Sequence, residues 1–416
     1  MTLNAKIKKM IEACRPTAVD FFCGAGGLSE GLTEAGFEVL LASDFWAPAA
    51  QTYRQNHPSV PFLEYDIRDI SVDTVLEYCG GRVPDVVAGG PPCQGFSSAG
   101  ARLMDDDRNT LVGYYARLAT EIEPEVIVFE NVEGFLTSGG GNFVIDLLDP
   151  LLDAGYFVRV EKLNVANYGV PQLRKRVIAI ASKSKLPRAI KPTHSAHGSP
   201  GVWRVGTHLP TTESVAEALS RVVESEKDEL SIRRFPTGVD AARMAALKPG
   251  ETMKDLGPSL QHRSFSRRAN RRVADGTPSD RRGGAPIGLR RLKPYEPSKA
   301  ITSAASREFV HPFENRSLTL REAATIQTFP TNFAFAGTRQ QIATMIGNAI
   351  PPKFAYALGL AVLETARAES EIPGGGLVEF SVTNAEAMSP ALARVVSPVE
   401  KRYGKASFSQ ASLLEI

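Results

Sequence analysis

The chain has 416 residues, with 48 Lys and Arg against 46 Asp and Glu. This ordinary globular balance suggests two or three domains and a core large enough to need no staples. Its four cysteines, Cys14, Cys23, Cys79 and Cys93, lack any CxxC spacing, which argues against a zinc knuckle or a disulfide framework. No metal is expected either from His194 and His197, which sit in the loop-like PTHSAHGSP with no cysteine nearby. No apolar run approaches the roughly 20 residues of a membrane span, and the N-terminus lacks a signal core, so a cytoplasmic protein without membrane contact is expected. The formal charge is only +2, but residues 261–300 hold many arginines and lysines against Asp275, Asp280 and Glu296. Such a stretch is either a solvated face or a polyanion-binding surface.

Apolar runs alternate with helical patterns through the first half: TAVDFF then LSEGLTEAGF, EVLLASD then PAAQTYRQNH, VPDVVAGG then LVGYYARLATEI, and EVIVFENV then NFVIDLLDPLLDAGY. That alternation predicts a parallel sheet covered on both faces, with ligands at the carboxyl ends of its strands. FVRVEKLNVANYGVPQLRKRVIAIAS reads as two extended runs about a YGVPQ turn, an antiparallel addition to the sheet. Residues 183–300 lose periodicity and read as an irregular inserted module. SLTLREAATIQTFP and QIATMIGNAIPPKFAYALGLAVLETARA restore helical patterning and return the chain to its first unit. The expected divisions are a catalytic domain at 1–182, an insert at 183–300, a return at 301–368 and a tail at 369–416 without assignable chemistry.

CGAGGLSEG opens a helix directly after a strand, where glycine lets the backbone approach a ligand. The spacing puts Ser29 at the third position of G-x-G-x-x-G, so the dinucleotide fingerprint fails and a nucleoside cofactor without pyrophosphate fits better. Asp44, about 20 residues on at the next strand end, stands where a carboxylate accepts ribose hydroxyls. Asp66, in YDIRD, is placed to receive an adenine amino proton, although either aspartate could instead cap the segment after it. Cys93 follows VVAGG at a strand end, between prolines that fix the backbone and glycines that leave room beside the sulfur, as a nucleophile requires. Cys23 reads as a small filler. Glu130, in FENV at the neighbouring strand end, is a candidate general acid. In QLRKR, Gln172, Arg174 and Arg176 recur with period two and so share one face of an extended strand, as fixed donors, while Leu173 and Lys175 point away.

In chain order, DFFCGAGG, SD, YDI, GGPPCQGFS, FENV, YGVPQLRKR, REAATIQTFP and IGNAIPP resemble the motif series of the bacterial DNA (cytosine-5) methyltransferases, over residues 17–365. The resemblance implies a Rossmann-like α/β methyltransferase fold, a mostly parallel sheet with an antiparallel addition, plus a smaller irregular target-recognition domain at the insert. It implies methyl transfer from S-adenosyl-L-methionine, leaving S-adenosyl-L-homocysteine, to C5 of a flipped cytosine in double-stranded DNA. By this resemblance Cys93 adds to C6, Glu130 holds N3 and the exocyclic amine, Arg176 contacts O2 and Arg174 supports the cysteine loop. Phe22, Gly24, Gly26, Gly27, Asp44, Asp66, Ile67, Pro92 and Asn348 would bind the cofactor. Gln94, Ser97, Arg108 and Gln172 would contact DNA. Arg267, Arg268, Arg271 and Arg272 of the basic insert would add phosphate contacts. A monomer is expected, with a cognate restriction endonuclease acting separately or none. Asp44 departs from the family's more usual glutamate by one carbon. The alternatives are an RNA cytosine-5 methyltransferase, although the CFT tripeptide of the tRNA-modifying relatives is absent, and a non-catalytic DNA-binding regulator. A dehydrogenase is disfavoured by the missing glycine.

Overall fold

Strand and helix alternate from the first described residues onward: β1 (Thr17–Phe21), α1 (Gly27–Glu34), β2 (Glu38–Ser43), α2 (Ala47–Asn56), β3 (Phe62–Leu63), α3 (Val72–Tyr78), β4 (Val86–Gly89), α4 (Thr110–Ile122) and β5 (Val126–Val132). The structure is a computed structural model and describes residues 15–92, 110–137, 141–195, 208–222, 228–262, 288–367, 378–380 and 390–403. β1 and β4 are buried along their whole length, as strands covered on both faces must be. The short helix α3 has no counterpart in the sequence reading. Ser71 starts it by accepting a hydrogen bond from the Thr74 amide at 3.2 Å, a cap that polar residues before an apolar run can supply.

The chain continues through α5 (Gly134–Thr137), α6 (Asn142–Asp153), β6 (Phe157–Asn164), β7 (Gln172–Leu173) and β8 (Lys175–Ser182). In the insert the described residues form α7 (Val215–Ser220), α8 (Gly238–Ala246), a few 3-10 turns, β9 (Arg290–Arg291) and β10 (Ser298–Lys299). This sparse regular structure matches the poor periodicity there. α9 (Ala305–Glu308), β11 (Phe309–Val310), α10 (Leu320–Ile326), α11 (Arg339–Asn348) and α12 (Pro352–Arg367) follow, then β12 (Val378–Phe380) and α13 (Pro390–Tyr403).

Eight strands form one sheet in the order β12-β6-β8-β5-β4-β1-β2-β3. Among the described residues of this sheet, β8 alone runs against its neighbours, β5 and β6; the other pairings are parallel. The antiparallel addition is therefore a single reversed strand. Successive residues of the central strands feed opposite faces. Val87, Ile127 and Phe129 join α4 and α6 in one apolar cluster, and Ala88, Val126 and Val128 join α1 and α12 in another. α12 thus brings the chain back onto the first unit, close enough that a Cβ on Gly31 would collide with Ala355. By length and hydropathy alone the stretch Arg339–Arg367 would pass as a membrane span. It is instead two helices, broken at residues 349–351, and 67% of its most apolar window lies inside the protein.

Candidate active site

The carboxyl ends of β1, β2, β4 and β5 share one edge of the sheet, and the reversed β8 starts there. At the end of β1 the backbone turns sharply: Phe22, Gly24 and Gly26 all take positive φ, at 56°, 55° and 98°. A Cβ at Gly24 would meet nothing within 4 Å, whereas at Gly26 it would press into His57 and Tyr53 and at Gly27 into the Ile350 carbonyl. Gly24 therefore opens onto free space beside the loop. Gly26 and Gly27 also allow protein to approach protein.

Asp44 anchors this loop. Its Oδ2 accepts the Gly24 amide at 3.0 Å and its Oδ1 the Trp46 amide at 2.9 Å. Burial raises its pKa, opposed by those two amides, and each oxygen keeps acceptor capacity for a ribose hydroxyl. The Phe22 ring sits 6.5 Å from that of Tyr115. Asp66 behaves as a cap: its Oδ1 accepts the Arg68 amide at 3.0 Å and its Oδ2 accepts Arg68 Nη2 at 2.7 Å. These bonds hold its pKa below the ordinary value. Ile67 is buried in the 3-10 turn that Asp66 caps, and Pro92 is half-buried beyond β4.

Beneath the loop lies a residue that the sequence reading missed. Asp20 is 1% exposed, and burial raises its pKa from 3.8 to about 7. Ser29 donates its hydroxyl to Asp20 Oδ2 at 2.6 Å, and Tyr53 donates to Ser29 Oγ at 2.8 Å. The serine that breaks the dinucleotide fingerprint is thus the partner of a buried carboxyl group. A carboxylate inside the apolar run TAVDFF was the available signal, since such a group must find donors or a proton. Cys23 is a buried filler against Ala42 and Tyr53, its pKa pushed far up by burial and by Asp20 and Asp44.

Across β5 and β8, Glu130 is registered with Ile178 and Val132 with Arg176. Glu130 and Arg176 are therefore diagonal neighbours on one face, within reach of long side chains. They form an ion pair with Arg176 Nε 2.5 Å from Glu130 Oε1, both side chains about nine-tenths buried. A Cβ on Gly90 would lie 3.1 Å from Glu130 Oε2, so the GGPP stretch before Cys93 runs directly along this carboxylate. Burial over residues 172–176 alternates as the period of two requires, with Gln172, Arg174 and Arg176 inward and Lys175 exposed.

Two residues on that face make long-range contacts. Gln172 is 0% exposed; its amide donates to Gln327 Oε1 at 2.6 Å and accepts the Ile301 amide at 3.0 Å. Those bonds turn its side chain into the interior instead of toward DNA. Arg174 donates to the carbonyls of Ile301 at 2.7 Å, Gly347 at 2.8 Å and Ala349 at 3.2 Å. It satisfies the orphan carbonyls at the C-terminus of α11 and so fixes the exposed Asn348 beside the edge. Burial lowers its pKa strongly, and the Arg176 charge adds to that. Cys93, Gln94, Ser97, Arg108, Arg267, Arg268, Arg271 and Arg272 lie outside the described residues.

The edge therefore joins a buried carboxylate clamped by an arginine to a glycine loop with open space and a half-buried ribose-type acceptor, a set suited to a nucleoside cofactor beside a nitrogen base. The family model for C-5 cytosine-specific DNA methylase matches residues 17–364. Among curated proteins, Type II methyltransferase M1.HphI of Haemophilus parahaemolyticus is 32% identical over 361 residues, 86% of this chain and 89% of that protein. Type II methyltransferase M.XorII of Xanthomonas oryzae is 30% identical over 423 residues, 93% of this chain and 96% of that protein. Among solved structures, a DNA modification methyltransferase encoded within an E. coli prophage superposes with a TM-score of 0.63 at 21% identity, covering 85% of this chain and all of that one. S. pombe Dnmt2 gives 0.51 at 16% identity, covering 85% and 100%.

Proposed function

The chain belongs to the C-5 cytosine-specific DNA methylase family, and from that premise we propose that it methylates one specific cytosine in duplex DNA as the modification partner of a Type II restriction endonuclease. The observation that carries this reading is the Glu130–Arg176 pair lying against the GGPP stretch that leads into Cys93. The relatives' designation as Type II methyltransferases supports the restriction-modification setting. The protein would act as a monomer in the cytoplasm, on nucleoid DNA.

S-adenosyl-L-methionine supplies the methyl group as an electrophilic carbon on a sulfonium. Gly24 would leave room for it, Asp44 would accept its ribose hydroxyls, Phe22 would offer a ring to the adenine, and Asn348 would close the methionine end. A duplex hides C6 of cytosine, so the base is flipped out at a cost of a few kcal/mol. The Cys93 thiolate then bonds to C6, and Glu130 stabilises the charge that builds at N3 by holding a proton there. Arg176 fixes the Glu130 carboxylate and points a donor at O2. With the ring converted to an enamine, C5 would take the methyl group as the S–CH3 bond breaks, its electron pair staying on the sulfur of the departing S-adenosyl-L-homocysteine. Water then takes the C5 proton, the C5–H electron pair restores the ring double bond as the C6–S bond breaks, the Cys93 thiolate leaves, and the N3 proton returns to Glu130. The basic insert, with Arg267, Arg268, Arg271 and Arg272, supplies phosphate contacts, while side chains within it choose the sequence.

The test is bisulfite sequencing of DNA from a methylation-free bacterial host expressing the chain, with Cys93→Ala as control. Cytosines protected in one short motif, and lost in the control, are expected. A map without protection, or protection that survives Cys93→Ala, overturns the reading.

A further inference from the structure

The family match ends at residue 364, yet the chain folds on. β12 adds in parallel to the β6 edge, pairing Val378 with Val158 and Phe380 with Val160. α13 lies on α5 and α6. Val395 and Val399 are 0% exposed and share an apolar cluster with Phe135, Leu136 and Leu148. Gly141, the N-cap of α6, faces the same helix: a Cβ there would sit 3.6 Å from Pro398. At the outer end, Arg402 Nε and Nη2 donate to the two oxygens of Asp149, each at 2.6 Å, and the Tyr403 hydroxyl donates to the same carboxylate. A bidentate arginine–carboxylate pair fixes orientation as well as distance.

α5 connects this helix to the catalytic edge. It starts two residues after β5 ends, and its Phe135 ring lies 5.0 Å from that of Phe129. Phe129 directly precedes Glu130, and both aromatic rings are 0% exposed. Close-packed side chains transmit displacement because there is no void to absorb it. The geometry points to α13 as a C-terminal clamp that holds Glu130 in register with Arg176, with Phe135 as the positioning residue between them. This rests on the reading of Glu130 given above, and it assigns a role to a part of the chain that the family match leaves out.

The clamp is tested at its exposed end, where Arg402 has a side chain 55% exposed and its replacement disturbs no core packing. Arg402→Asp sets a like charge against Asp149 and should release the end of α13, which faster amide exchange over residues 395–403 would report. Two readouts follow in the full-length protein. Amide exchange at Asn131 and Val132 should quicken. The single-turnover methylation rate at saturating DNA and cofactor should fall about five- to tenfold, as a displaced catalytic group costs rate, with cofactor Kd unchanged within about twofold. The swap Asp149→Arg with Arg402→Asp should restore both. If α13 is released and exchange at Asn131 and Val132 stays as in wild type, or if the swap re-seats α13 without restoring the rate, the clamp is overturned. Absence of methylation by the wild type would count against the functional reading alone, and the exchange arm would still decide the clamp.

Discussion

The two sides of the catalytic edge are built differently. The cofactor side is local: Gly24 meets Asp44 across 20 residues of chain and Ser29 meets Asp20 across 9. The base side is assembled from far away, with Arg174 reaching carbonyls 127 and 173 residues along the chain. The local side relies on short side chains and backbone amides, and the distant side on long buried cations. A sequence that folds one strand-helix-strand unit correctly has built the glycine loop and its Asp44 anchor, whereas Asn348 and the contacts of Arg174 are in place only after the chain has returned past residue 300.

Substitutions on each side should separate along that division. The largest effect is expected at the base side. Glu130→Gln cannot deliver a proton to N3 and should lower single-turnover methylation about 10²- to 10⁴-fold while cofactor Kd stays near wild type. A comparable loss of cofactor affinity would merge the two sides into one. Arg174→Met comes next. It strips several carbonyls of a charged donor and should cost about 3 kcal/mol of stability in denaturant unfolding, with a loosened Asn348 weakening the cofactor as well. A loss under about 1 kcal/mol would show that the helix end stands without it.

The smallest effect belongs to the local side. Asp20 has a folded pKa near 7 against 3.8, so between those values the native state keeps a proton that the unfolded chain has lost. Stability should therefore fall as pH rises from about 4 to 7. Asp20→Asn removes that slope, since its amide oxygen still accepts from Ser29 and nothing ionises. Because the new amide nitrogen is buried, the net gain at pH 8 should be only about 1–2 kcal/mol. Parallel pH-stability curves for wild type and variant would mean that Asp20 does not titrate in this window.

What could be read from the sequence follows the same line. The parallel alternation, the reversed strand, the open position at Gly24, the half-buried Asp44 and the one-face placement of Gln172, Arg174 and Arg176 all depend on residues close in sequence, where a period or a turn carries the information. The intramolecular partners of Gln172 and Arg174 could not be read, because strand period tells which way a side chain points but not what lies there. Asp20 was missed because its partner Ser29 had been noticed only as a failed glycine. The tail went unread for a related reason: Val395, Val399 and Arg402 acquire meaning only from Phe135 and Asp149, about 250 residues earlier by the spacing of Arg402 and Asp149.

The short pairing of β7 with β10, which joins Gln172 to Ser298, has a consequence for protein engineering. It closes the neck of the insert, and the Gln172 amide seals that neck by gripping Ile301 and Gln327 together. A chimera that borrows a foreign insert should therefore place its downstream graft junction before Ser298. A junction beyond that point discards half of the seam, and the scaffold would then receive the new module without the stitch that orients it.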